Sequence, residues 1–289
     1  MILGPLEVVI LTVVFWAAIY GLSLILPLKT YGLQVKPLYL VYKTKRFNIA
    51  LNETAKRFKQ FWRVVWNTGV ASAIGLMSYA IYILIDNLLK FFYVPEKASP
   101  MAPPIPGITI GLQTVPFFLV ALAVIMITHE AAHGIASRIE NIEIKSSGII
   151  VIFLLFGAFV EPDDEQLRKA KLASKARVYG AGSLVNLLTA ISIIIIVGIV
   201  RWDWLPIQMA YYLFNQLYWI YLISINVAIF NMLPLYPFDG DGFLVALTGA
   251  LKKETGYKLR VMINAISLLT LAANLTLSFS RFGLVQLGI

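Results

Sequence analysis

The chain has 289 residues, of which 59% are hydrophobic and 13% charged, against about 45–50% apolar and about 25% charged in an ordinary soluble domain. Its mean hydropathy is +0.80, and several apolar runs are long enough to cross ~30 Å of hydrocarbon, which excludes a water-soluble globular fold. The 24 Lys and Arg outnumber the 15 Asp and Glu, but they lie between apolar runs and act as topology signals, so nucleic-acid binding is not expected; the absence of cysteine excludes disulfides, thiolate metal sites and cysteine nucleophiles.

The first apolar run, residues 5–27, has no basic residue before it, Glu7 near its start and no Ala-x-Ala site, and it predicts a retained helix, not a signal peptide. Further runs at about 69–93, 116–138, 177–200, 212–233 and 260–280 bring the expected spans to six. The fold class expected is an all-α polytopic membrane protein of about six transmembrane helices, built as a single membrane-embedded domain over 1–289. Loop 28–68 carries Lys29, Lys36, Lys43, Lys45, Arg46, Lys56, Arg57, Lys59 and Arg63, whereas the Pro-rich loop 94–115 carries only Lys97. Basic residues return in 139–176, thin to Arg201 in 201–211, and return again in 252–260. By the positive-inside rule the N-terminus is outside and loops one, three and five are cytoplasmic, as in a multi-pass protein of the cell membrane.

Within the first cytoplasmic loop Phe58, Phe61, Trp62, Val65 and Trp66 recur at helical spacing opposite Lys56, Arg57, Lys59 and Arg63, which predicts an interfacial amphipathic helix. Segment 146–160 is apolar, too short to span as a helix and rich in β-branched and aromatic residues, so it reads as a re-entrant, extended element. Pro162 followed by Asp163, Asp164 and Glu165 reads as a helix start.

The two histidines, His129 and His133, frame His129-Glu130-Ala131-Ala132-His133 in the third span. On a helix, positions i and i+4 face the same way, so both imidazoles can hold one Zn²⁺ while Glu130 reaches a water at the open position. A zinc enzyme of this type needs a third protein ligand, and without cysteine or a further histidine it must be a carboxylate. The acids in or beside spans are Glu7, Asp86, Glu130, Asp239 and Asp241. The charge rule puts the histidine pair near the cytoplasmic end of its helix, the level at which Asp239 and Asp241 follow the fifth span. The run Asn231-Met232-Leu233-Pro234-Leu235-Tyr236-Pro237-Phe238-Asp239-Gly240-Asp241-Gly242 breaks the helix twice and can turn back toward the metal. Asp239 is the first candidate and Asp241 the second, while Asp86 reads as a packing or water-cavity residue.

The zincin-type sequence inside a span, the Asn-x-x-Pro-x-x-Pro-x-Asp-Gly run at a later helix end, and Gly157-Ala158-Phe159-Val160-Glu161 between them resemble the site-2 protease family of intramembrane zinc metalloproteases, over roughly residues 116–242. The resemblance implies one Zn²⁺ per chain held by His129, His133 and Asp239, Glu130 as general base, Asn231 as a polar group near the scissile carbonyl, and 146–160 as a β element near the substrate. Ala181-Gly182-Ser183-Leu184-Val185-Asn186 resembles the family's Ala-Gly-Pro-x-x-Asn with Ser183 in place of proline, which implies that Asn186 faces the site. The partner implied is a single-span or membrane-anchored protein in the lipid bilayer, cleaved near the cytoplasmic face as in regulated intramembrane proteolysis. No PDZ-like or nucleotide-sensing domain is expected. Prenyl-protein proteases fit less well because they take a glutamate as third ligand, and a zinc transporter would spread its ionisable groups across the bilayer. A catalytically dead scaffold would have no reason to keep Glu130. For Gly180 and Gly182 the reading is close helix packing.

Overall fold

A computed structural model describes residues 5–153 and 155–283. The chain is mostly helical, and five of its helices are long and apolar enough to cross a membrane: α3 (Lys59–Tyr93), α4 (Val115–Ile139), α6 (Leu172–Ile199), α7 (Ile207–Phe230) and α9 (Lys253–Phe282). Helix α1 (Pro5–Ile25), expected as a sixth span, is also apolar, but its described apolar stretch Val9–Ile25 is shorter than these five. The shorter helices are α2 (Arg46–Arg57), α5 (Asp164–Lys169) and α8 (Asp239–Thr248). This is a multi-pass membrane protein.

Helix ends follow local chemistry. Pro116 stands in the first turn of α4, where its missing N–H costs nothing, and the helix stops before Asn141, which takes a left-handed φ of 60°. At the start of α5 the Asp163 carboxylate accepts the Gln166 backbone N–H at 2.8 Å, with Asp164 and Glu165 in the first turn, as the Pro-Asp-Asp-Glu sequence leads one to expect. Helix α6 is the hub, packing against α3, α4, α7 and α8. Its Ala176, Val178, Gly180, Ala181 and Gly182 are buried, because small residues let the neighbouring backbones approach in the absence of a hydrophobic drive between helices.

The segment predicted as an interfacial helix is drawn differently. Phe58 breaks the chain between α2 and α3, and residues 59–66 are the first turns of the long α3, continuous with the second span. Trp62, Val65 and Trp66 turn inward to the core shared with α4 and α6, Trp62 stacking on Trp66 at 5.2 Å, while Phe58 and Phe61 stay exposed. The apolar period of this stretch runs on unbroken through Gly69, Ala73, Leu76 and Ala80, so one buried stripe serves the loop and the span alike. The separate amphipathic helix of this loop is α2, which buries Leu51 and Ala55 against α4.

The 146–160 segment is extended and forms strands β3 (Ile144–Ile152) and β4 (Leu155–Pro162), joined as an antiparallel hairpin. Two strands of the first loop, β1 (Leu33–Lys36) and β2 (Tyr39–Thr44), complete a four-stranded antiparallel sheet in the order β1-β2-β3-β4. Tyr39 pairs with Ile152 and Thr44 with Ser147. Loops one and three are thereby hydrogen-bonded to each other through β2 and β3. At the hairpin tip the Phe153 carbonyl accepts the buried Trp16 indole N–H at 2.9 Å. Trp16 is nine residues before Ile25, the end of α1, or ~14 Å along a helix at 1.5 Å per residue. The hairpin tip therefore lies well back along α1; β3 is paired on both sides, whereas β4 is the edge of the sheet and gives its Val160 N–H to Glu130.

Candidate metal centre

Helix α4 brings His129 and His133 to one face, both buried, with ring centroids 4.7 Å apart. The second element is the turn after α7. Asn231 ends that helix, and the Gly240 N–H donates to the Asn231 carbonyl at 2.9 Å, folding Asp239 back to the level of Asn231. Gly240 can have no side chain here, since a Cβ would overlap the carbonyl oxygens of Met232 and Leu233. The Asp239 carboxylate consequently stands 3.2 Å from His129 Nε2 and 2.9 Å from His133 Nε2, and the two Nε2 atoms are 3.1 Å apart.

Three donor atoms at this spacing match one face of a tetrahedral zinc site, whose N and O ligands at about 2.0–2.1 Å from the metal lie about 3.3 Å from one another. The tautomers fit as well. His133 Nδ1 is 2.7 Å from the Val178 carbonyl of α6, which can only accept, so this nitrogen carries the proton and Nε2 presents its lone pair. His129 Nδ1 lies 2.8 Å from the side-chain amide of the fully buried Asn186. With the amide nitrogen there, Asn186 Oδ1 is left buried without a partner. Turning the amide over sets Oδ1 against His129 Nδ1–H and frees the second Nε2 lone pair, which makes Asn186 the counterpart of the Val178 carbonyl. Among the described residues His129, His133 and Asp239 are the one group of His, Cys, Asp and Glu side chains that can converge on a metal ion.

The remaining candidates divide between those beside this cluster and those away from it. The Asn231 amide nitrogen is 2.9 Å from His129 Nε2 and donates to Asp239 Oδ2 at 2.5 Å. The Glu130 carboxylate accepts the backbone N–H of Val160 at 2.8 Å, which ties it to strand β4. Asp241 turns away, accepting two hydrogen bonds from Arg260 Nη2 at 2.8 and 2.9 Å and one from Asn264 at 3.0 Å, both on α9. Asp86 pairs with Lys90 one turn along α3 at 2.5 Å. Gly182 is the residue that reasoning from sequence assigned to packing alone and that lies at the centre. A Cβ there would sit 2.5 Å from His129 Cε1 and 2.6 Å from His129 Nε2, and it would overlap His133 Nε2. Its signal was available in the spacing, because Val178, Gly182 and Asn186 recur every fourth residue and line one stripe of α6.

A sequence profile of peptidase family M50 matches residues 117–203 and 197–273, together more than half of the chain. The chain belongs to peptidase family M50. This is the site-2 protease family that the motifs resemble, a family of membrane zinc metalloproteases, and its matched region includes all six residues singled out for the site. The chain is 28% identical over 192 residues to an uncharacterized protein of Methanocaldococcus jannaschii, a match that covers 63% of this chain and 48% of the relative. It thus spans about half the length of the curated relative it matches.

Proposed function

We propose that this M50 protease is an intramembrane zinc metalloendopeptidase that hydrolyses a peptide bond within or near a transmembrane segment of a single-span or membrane-anchored protein, close to the cytoplasmic face. The observation that carries the reading is the convergence of His129 Nε2, His133 Nε2 and Asp239 Oδ2 at 2.9–3.2 Å, beside the helix turn that carries Glu130. On this reading the N-terminus is outside, and the catalytic core lies at about 116–242.

His129, His133 and Asp239 would hold one zinc per chain. When bound, the metal supplies a Lewis acid and lowers the pKa of water. Glu130 takes the proton from the attacking water and returns it to the leaving amine, so the base becomes the acid of the second step. Asn231, whose amide is already within 3 Å of His129 and Asp239, donates to the oxyanion that develops on the scissile carbonyl. Asn186 and the Val178 carbonyl hold the two imidazoles in the ligand tautomer. The substrate is itself a helix with its carbonyls hydrogen-bonded, so it must unwind locally before attack, and helix-weakening residues in it favour cleavage.

The test is to incubate the detergent-purified protein with single-span substrates, with and without a zinc chelator, and to map the products by mass spectrometry. Cleavage in the cytoplasmic half of the span, abolished by the chelator and restored by zinc, is expected. Cleavage that survives the chelator contradicts the reading.

A further inference from the structure

Where the first loop leaves α1, a cavity of about 600 Å³ with a mixed polar and apolar lining opens to the surface between the turn Leu28–Tyr31, the end of β2 and the start of α2. Lys43, Lys45 and Arg46 line it together with Tyr31 and Tyr42. One anion meets this trio: Glu161 pairs with Lys43 at 3.1 Å, and the same ammonium lies 5.6 Å from the centre of the Phe159 ring. Lys45 and Arg46 make no ion pair among the described residues. Arg46 is also the first residue of α2, so the positive end of that helix adds to the field in the cavity.

Aromatic surface lies beside these cations. Tyr31 and Tyr42, which line the cavity, are 75% and 41% exposed, and Leu24 and Ile25, in the last turn of α1 a few residues earlier in the chain, are 71% and 81% exposed. Three cations in a recess, next to the point where an apolar helix emerges from the hydrocarbon, present charge and grease in the order in which a lipid presents phosphate and acyl chain. We propose that this cavity binds the phosphate headgroup of an anionic membrane lipid, with Lys43, Lys45 and Arg46 on the phosphate and the exposed end of α1 beside the acyl chains. A soluble phosphate would find the same cations but gain nothing from the exposed end of α1. The site borders the catalytic region, since Lys43 also holds Glu161 of β4, the residue after Val160, whose N–H meets Glu130. Occupancy is read by binding alone and stands whether or not the metal centre is proteolytic.

The experiment is native mass spectrometry of the intact detergent-purified protein, titrated with phosphatidylglycerol or with phosphatidylcholine of the same acyl chains. One phosphatidylglycerol should be retained at least about tenfold better than phosphatidylcholine. Lys45→Gln with Arg46→Gln should abolish that preference, whereas Lys252→Gln with Lys253→Gln, in the last basic loop, should leave it. Inorganic phosphate should displace the lipid only weakly. Equal retention of the two lipids by the unaltered protein overturns the proposal without recourse to any variant, as does full displacement by inorganic phosphate or an equal loss of preference in the control pair.

Discussion

Gly182 on α6 lies against His133 on α4 so closely that a Cβ at position 182 would overlap the His133 Nε2 atom, which points into the proposed metal site. The glycine keeps open the volume into which both imidazoles direct their lone pairs. Gly182→Ala should lower zinc affinity by about 10–100-fold, the range for residues that shape a metal site from behind its ligands. Ala is a better helix former than Gly, so helix content by circular dichroism should not fall. Full zinc occupancy with normal cleavage in this variant would mean that the imidazoles bind in another arrangement.

Glu130→Gln keeps size and both histidines but removes the proton acceptor. Zinc content measured on the purified variant should be unchanged, and cleavage should fall by about 100-fold or more, the loss typical of a missing general base. Near-normal turnover would leave the Glu130 contact with Val160 as its sole role.

Asp239 and Asp241 should separate cleanly. Asp239→Asn removes the charge that stands 2.9 and 3.2 Å from the two imidazole nitrogens, so zinc affinity and activity should both drop sharply. Asp241→Asn weakens the link from α8 to Arg260 and Asn264 on α9; it should cost about 1 kcal/mol of stability and leave zinc bound. Metal analysis of the two variants side by side decides the matter, and loss of zinc from Asp241→Asn alone would reverse the assignment.

A pH-dependent contribution to stability comes from the end of α4. Burial works to raise the pKa of Glu140, but hydrogen bonds from Arg177 at 2.7 and 3.0 Å and from Ser174 at 2.5 Å outweigh it and hold the carboxyl below its ordinary value. A depressed carboxyl stabilises the fold above the unfolded pKa of about 4.3 and loses that contribution as pH falls through the folded value. Arg177→Ala should lower stability at neutral pH by about 1–3 kcal/mol and flatten the acid limb of melting temperature against pH. An unchanged acid limb would place the acid sensitivity elsewhere.

The five long apolar helices are legible in the sequence because each contains an uninterrupted apolar run, and α4 declares its chemistry because two histidines one turn apart need only helical geometry to meet. The strands β1 and β2 are not legible: they are four and six residues long and carry lysines, and β2, on which β1 pairs, is itself held by pairing with β3 more than a hundred positions later. The same non-locality hides the fate of Asp241, whose partner Arg260 lies nineteen residues on in α9. The first turns of α3 misled because a basic amphipathic stripe reads alike whether its apolar side faces lipid or, as at Trp66, the protein core. Gly182 escaped because a site that depends on a missing side chain leaves no chemical group to notice.

The most direct measurement is zinc per chain, by inductively coupled plasma mass spectrometry, on the protein as purified and on the His129→Ala, His133→Ala double variant. About one zinc in the unaltered chain and none in the double variant is the predicted result, since the chain has no other histidine and no cysteine. Stoichiometric zinc that persists in the double variant would contradict the assignment of the metal centre, and with it the mechanism built on Glu130.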